Sequence, residues 1–134
     1  MTWHAKCRGG PLDRMVHPAQ GEAWKSFDRQ HPSFAAETRN VRVGLCTDGF
    51  CPSSNLGSAY SCWPVFITPY NFPPDMCMRQ EFIFMSLRPL IDELRTLWDE
   101  GAVTWDCIRQ ENFLMRVAVM WTVSDFPAYG MLSG

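Results

Sequence analysis

The stretch Arg39-Asn40-Val41-Arg42-Val43-Gly44-Leu45-Cys46-Thr47-Asp48-Gly49-Phe50 decides how the rest of the chain is read. Val41, Val43 and Leu45 alternate with other residues, which is the period-two pattern of a half-buried strand. The run ends in an acid, Asp48, followed at once by Gly49. A carboxylate at the C-terminal lip of a strand is held by a rigid scaffold yet reaches solvent. Metal-assisted phosphoryl transfer needs an acid in such a place. A second strand-like run, Val117-Ala118-Val119-Met120-Trp121-Thr122-Val123, also leads to an acid, Asp125. Two strands that deliver two carboxylates make a candidate divalent-cation site. Both acids also have a plainer reading. Asp-Gly is a favoured hairpin pair because both positions tolerate positive φ. Asp125, after Ser124, can cap or turn the chain before Pro127.

Working outward, residues 1–17 read as an irregular lead-in broken by Gly9-Gly10-Pro11. Residues 18–30 predict a short helix, with Pro18 in its first turn and Ala23, Trp24 and Phe27 on one face. His31-Pro32 ends it. After the first strand, residues 51–57 are rich in Pro, Ser, Asn and Gly and predict a loop. A second strand is expected from Tyr60 to Ile67, and Pro64 within it favours an edge position or a bulge. Pro69 to Pro74 is a turn region, and Phe82-Ile83-Phe84-Met85 a short apolar strand. Residues 88–101 hold the clearest helix, with Leu90, Ile91, Leu94, Leu97 and Trp98 in one stripe, Pro89 in the first turn and Gly101 at the stop. Val103 to Ile108 and Glu111 to Val123 read as a pair of strands. Three sequential strands joined by short loops should be antiparallel, and a strand that follows the helix should pair in parallel. The expected fold is α/β: a mixed sheet with helices packed on it.

At 134 residues and 46% hydrophobic, with six Trp and nine Phe, the chain has material for a core and is one domain or part of one. A net charge of -2 offers no electrostatic reason to bind nucleic acid unaided. The N-terminus lacks the apolar core of a signal peptide, and no apolar run approaches the ~20 residues that span a bilayer. An intracellular chain with reduced thiols is expected. His4-x-x-Cys7 and Cys46-x4-Cys51 lack a second matching pair, so the six cysteines read as ordinary thiols rather than zinc ligands. His17 and His31 both precede proline and read as surface or helix-flanking residues. Asp92 and Glu93 belong to a solvated helix face. Trp24, Trp63, Trp98 and Trp121 suit core packing, while Trp3 and Trp105 have no assignable place. Arg39 and Arg42 read as ordinary surface residues, with a phosphate contact as the sharper alternative.

Several strings are specific enough to carry a resemblance. They are Glu22-Ala23-Trp24-Lys25-Ser26-Phe27-Asp28 after His17-Pro18, Arg39 to Leu45, and Thr47-Asp48-Gly49-Phe50. Further on come Tyr60-Ser61-x-Trp63-Pro64-Val65, Pro69 to Pro74, Leu87 to Leu94, and Trp121 to Gly130. In collinear order over nearly the whole chain, they resemble the plant CACTA-type (En/Spm-like) DNA transposases. The resemblance implies an RNase H-like fold, with residues 1–38 as lead-in and 39–134 as the N-terminal part of a catalytic domain. It implies cut-and-paste transposition by three acids that hold two Mg²⁺ or Mn²⁺ ions about 3.5–4 Å apart. Asp48 and Asp125 match the first two acids and would be both catalytic and metal-ligating. DNA at transposon ends would be the substrate, and the nucleus the location.

Three departures stand beside the resemblance. The sequence ends at Gly134 without the family's third acid. The connection at Leu87-Arg88 is short where the family has a Pro/Gly/Lys-rich segment. Cys51 replaces a small polar residue. These predict a fragment that is inactive by itself. The alternatives are a non-catalytic relic that associates with itself or with a full-length transposase, and a gene remnant without function.

Overall fold

The computed structural model describes residues 2–6, 15–48, 64–86 and 90–124. Among the described residues five α-helices and six strands follow in chain order. They are α1 (Trp3–Lys6), α2 (Glu22–Gln30), α3 (Pro32–Ala36), β1 (Val41–Thr47), β2 (Val65–Pro69), α4 (Pro74–Cys77), β3 (Phe84–Ser86), α5 (Ile91–Asp99), β4 (Ala102–Asp106), β5 (Glu111–Met115) and β6 (Val117–Ser124). The molecule is mixed α/β.

The main sheet has the order β3-β2-β1-β6. β1 runs antiparallel to β2, β2 antiparallel to β3, and β1 parallel to β6. This is the expected plan of three antiparallel strands, a helix, and a further parallel strand. β4 and β5 form a separate two-stranded hairpin inserted between α5 and β6.

Local chemistry explains the elements. Pro32 cannot continue α2 and starts α3, and His31 before it leaves the helical region at φ -123°, ψ 63°. α5 carries Asp92 and Glu93 in its first turn, where the helix dipole favours acids. It stops at Gly101, whose φ of +78° suits glycine. A Cβ there would meet Leu114 Cγ and Met115 O at 3.0 Å, so space as well as backbone requires the glycine.

Several expectations are corrected. The lead-in contains α1, which buries His4. Gln80–Phe82 form a 3₁₀ turn, so β3 starts later than the apolar run suggests. Pro64 precedes β2, and β2 is an interior strand between β1 and β3. A proline outside the ladder needs no N–H, so neither an edge nor a bulge is required. The run from Glu111 to Val123 is two strands. Asn40 Oδ1 accepts the Arg116 N–H at 2.8 Å and Arg116 O accepts the Val41 N–H at 2.8 Å. Those bonds take the chain out of the hairpin and into the main sheet at Arg116.

Both faces of β1 are covered, which a half-buried strand would not show. On one face Val41, Val43 and Val117 form a buried cluster, joined by Leu45, Ile67 and Met115 and capped by Leu94 and Leu97 of α5. On the other lies Arg42, fully buried rather than at the surface. Its guanidinium pairs with Asp28 Oδ1 at 2.5 Å and stacks 4.7 Å above Trp24 and 5.0 Å from Phe34. A charge in a core is tolerable when paired and hydrogen-bonded.

Candidate functional site

β1 is hydrogen-bonded on both sides, to β2 from Val43 to Thr47 and to β6 from Val41 to Thr47. Its start is fixed by buried polar groups. Asn71 Oδ1 accepts the Arg42 N–H at 2.8 Å, and Asn71 Nδ2 donates to Asn40 O at 2.8 Å. The Asn71 side chain thus extends the β1–β2 ladder past Pro69, where β2 ends. Midway, Gly44 lets the Tyr70 ring cross the strand. A Cβ at 44 would sit 2.6 Å from Tyr70 Cε2 and Oη. Trp121 meets Tyr70 edge-on at 5.4 Å and Trp24 at 6.4 Å, linking β6 to α2.

This scaffold ends at Asp48, which is exposed immediately after β1. Thr47 pairs with Ser124, so β1 and β6 end side by side at the same tip of the sheet. Asp125 lies outside the described residues, so the structure locates Asp48 and the end of β6 but not the second acid. An exposed carboxylate on a rigid strand end is the oxygen donor that hard divalent cations select. Among the described residues no three His, Cys, Asp or Glu side chains converge on one point.

The other titratable clusters are occupied in packing. His17 is buried instead of lying at the surface, though it does flank a helical turn. Its Nδ1 accepts the Ala19 N–H at 3.0 Å, so the neutral ring carries its proton on Nε2, 3.6 Å from Cys77 Sγ. Burial pushes the His17 pKa down and the Cys77 and Tyr70 pKa values up. Cys77 therefore stays a thiol and donates to Phe72 O at 3.2 Å, which excludes a thiolate–imidazolium nucleophile here. His4 Nε2 faces Arg42 Nη1 at 3.4 Å and must accept, because a guanidinium only donates. That orientation turns His4 away from zinc ligation. Cys7, Cys51 and Cys62 lie outside the described residues.

Neither arginine singled out in the sequence can meet a phosphate. Arg42 is committed to Asp28. Arg39 donates to Glu37 at 2.7 Å, Asp106 at 3.1 Å and Glu111 at 2.8 Å, and its guanidinium lies 4.0 Å over Phe113. The Glu37 contact is the main cause that holds its guanidinium charged and the Glu37 carboxyl below its ordinary range. Sequence reasoning missed this clamp, because its acids come from 2, 67 and 72 positions away. Trp24 is buried, Trp98 and Trp121 half-buried, and Trp63 outside the described residues. Trp3 packs against His17 at 4.7 Å, and Trp105 is 58% exposed. A groove of about 350 Å³ between α2, α5 and β6 is lined by Phe27, Leu94, Trp98 and Val117 and does not include Asp48.

The family model described as "Transposase family tnp2" matches residues 13–134, which takes in every described strand and α2 to α5. The chain belongs to this transposase family. Comparison with curated proteins and with solved structures gives no match. Membership gives the tnp2 chain a transposase-related function, with DNA as the general class of partner. No helix among its described residues is long and apolar enough to cross a membrane.

Proposed function

We propose that this tnp2 chain is the strand-bearing part of an RNase H-like catalytic domain of the CACTA (En/Spm-like) type. Its chemistry is cut-and-paste DNA strand cleavage and transfer at element ends, in the nucleus. Asp48 is the first metal-carrying acid and Asp125 the second. The sheet order and the crossover through α5 support the fold. The observation that carries the site is the parallel register, with Cys46 opposite Val123 and Thr47 opposite Ser124. In this reading the pairing continues one position further, so that residue 125 would lie beside residue 48.

In this reading Asp48 and Asp125 hold their oxygens at adjacent strand ends and bind the cation jointly. Bound Mg²⁺ or Mn²⁺ would activate a water or 3′-hydroxyl and neutralise charge on the leaving oxygen. The β1 ladder, paired on both sides as far as Thr47, would hold Asp48 in place as charge develops. The resemblance implies three acids for two cations, so with two of them the chain would leave one cation under-held and is expected not to cleave DNA by itself.

Mn²⁺ binding followed by water proton relaxation tests the site. Asp48→Asn and Asp125→Asn should each weaken binding about tenfold or more, since each removes one of two anionic ligands. Unchanged affinity in either variant removes that residue from the site. Nicking of supercoiled DNA by the chain in Mg²⁺, lost in Asp48→Ala, would show that the two acids suffice.

A further inference from the structure

The β4–β5 hairpin has two unlike faces. Inward it turns Thr104, Asp106, Phe113 and Met115, all partly buried. Outward it turns Val103 and Trp105 from β4, and Asn112 and Leu114 from β5, with cross-strand pairs Val103–Leu114 and Trp105–Asn112. Val103 is 76% exposed, Trp105 58%, Leu114 46%, and Ile108 at the turn 90%. No side chain on the outward face carries a charge. A strand pair of this kind normally alternates apolar inside and polar outside. Here the pattern is reversed over its outer face, and exposed apolar patches of this sort mark interaction surfaces.

The charges around the face select the occupant. Nucleic acid requires cations to replace its counterions. Arg109, at the turn, is the one exposed cation of the hairpin and already leans toward Glu111 at 3.9 Å. The hairpin is also fastened by Arg39 at the start of β1, a full strand length of roughly 20 Å from Asp48. A partner for this face must be uncharged and apolar, and the face itself meets that description. At the base of the hairpin Asp99 and Glu100 are exposed, while Arg109 is exposed at the tip. Two hairpins stacked face to face about a two-fold axis that crosses the strands run antiparallel, the arrangement that these charges favour. Each Arg109 then meets the acids at the base of the other copy, twice per dimer. Such self-complementarity is what an isologous interface needs.

We infer that the outward face of the β4–β5 hairpin is a self-association surface on which a second copy of this chain docks. The patch of Val103, Trp105, Ile108, Asn112 and Leu114 falls well short of the roughly 20–30 residues a side of a standard interface, so the dimer is a weak one. This inference is independent of the cation site at Asp48.

Sedimentation velocity of the full chain over the micromolar range tests it. The expected result is a reversible monomer–dimer equilibrium. Trp105→Asp should weaken it about 30-fold or more, as loss of a central aromatic anchor does. Ile108→Asp, at a still more exposed position, should weaken it without any risk to folding. Arg109→Glu should weaken it too, and Glu100→Arg added to Arg109→Glu should recover association. A chain that stays monomeric throughout overturns the inference, as does a dimer indifferent to Trp105→Asp and Ile108→Asp. Failure of the charge swap to recover association overturns the antiparallel arrangement. A monomeric chain whose DNA binding is abolished by Trp105→Asp would assign the face to nucleic acid instead.

Discussion

Replacing Arg42 by Met should destabilise the protein by about 3–5 kcal/mol, the cost of breaking a buried ion pair by removing one partner. The structure supplies the reasoning. The Arg42 side chain is 1% exposed and its Asp28 partner 11%, so solvent screens neither charge well. Met preserves most of the volume and the aliphatic stem. It deletes the pair with Asp28 and the cation–ring contacts to Trp24 and Phe34, each worth about 0.5–2 kcal/mol. It leaves the backbone N–H bond to Asn71 untouched. Domains of this size have about 5–15 kcal/mol in total, so the variant should be folded but marginal. Adding Asp28→Asn removes the stranded charge and should restore part of the loss. Arg42→Lys should fall between, since an ammonium cannot stack on two rings and pair at once. Urea denaturation followed by Trp fluorescence suits the question, because Trp24 is 1% exposed and lies against the substituted side chain. If Arg42→Met costs less than about 1 kcal/mol, or the double variant is less stable than Arg42→Met, the pair is not what holds α2 to the sheet.

Three further outcomes are expected. Burial lowers the His17 pKa below its ordinary 6.5, so His17 favours the folded state while neutral. That contribution is complete above the unfolded value and declines as pH falls through 6.5 toward the lower folded value. Thermal denaturation across that range should show an acid-side loss that flattens in His17→Asn, which keeps an acceptor for the Ala19 N–H. Arg39→Ala should speed amide exchange within residues 102–115 more than in β1 or β6, because Arg39 ties Asp106, Glu111 and Phe113 to the main sheet; uniform change across the chain would contradict that role. Gly101→Ala should cost roughly 1–2 kcal/mol in chemical denaturation, from the positive φ alone, and an unchanged midpoint would show that the turn relaxes freely.

How much of this was legible in the sequence depends on how far each cause lies along the chain. β1, β6 and α5 were legible because their signals are local: an alternating run and an apolar stripe that ends at Gly101. The strand directions followed from connection lengths, whereas the place of β6 beside β1 did not. Arg42 was misread because it falls on the polar phase of β1, and its ion-pair partner Asp28 lies 14 positions upstream. The break at Arg116 has no proline or glycine to announce it. It comes from the Asn40 side chain, 76 positions away, accepting the Arg116 N–H. The hairpin could have been suspected from Val103, Trp105 and Leu114, which keep period two but pair their apolar phase with solvent. Asp48 was legible as a strand-end acid because an alternating run leads straight to it; residue 125 lies beyond the described part of β6.

The geometry at the strand tips turns on one irregularity. From Val41 to Val43, β1 and β6 pair in step, Val41 with Val117 and Val43 with Val119. At the next position the register shifts and Gly44 meets Trp121, so Met120 is the extra residue of a bulge. Without that residue, in-step pairing would carry Gly44 to position 120 and Asp48 to position 124. With it, Gly44 pairs with Trp121, Cys46 with Val123 and Thr47 with Ser124. Side chains alternate faces along a strand, so a slip of one position exchanges the two faces. In the proposed site, where pairing continues past Ser124, the bulge is what would bring an acid rather than a serine into line with Asp48. It also sets Trp121 beside Gly44, where the Tyr70 ring fills the space that a Cβ would take. The glycine, the bulge and the aromatic contact form one arrangement: it fixes the phase of β6 in the middle of the sheet and so sets Ser124 opposite Thr47 at its end.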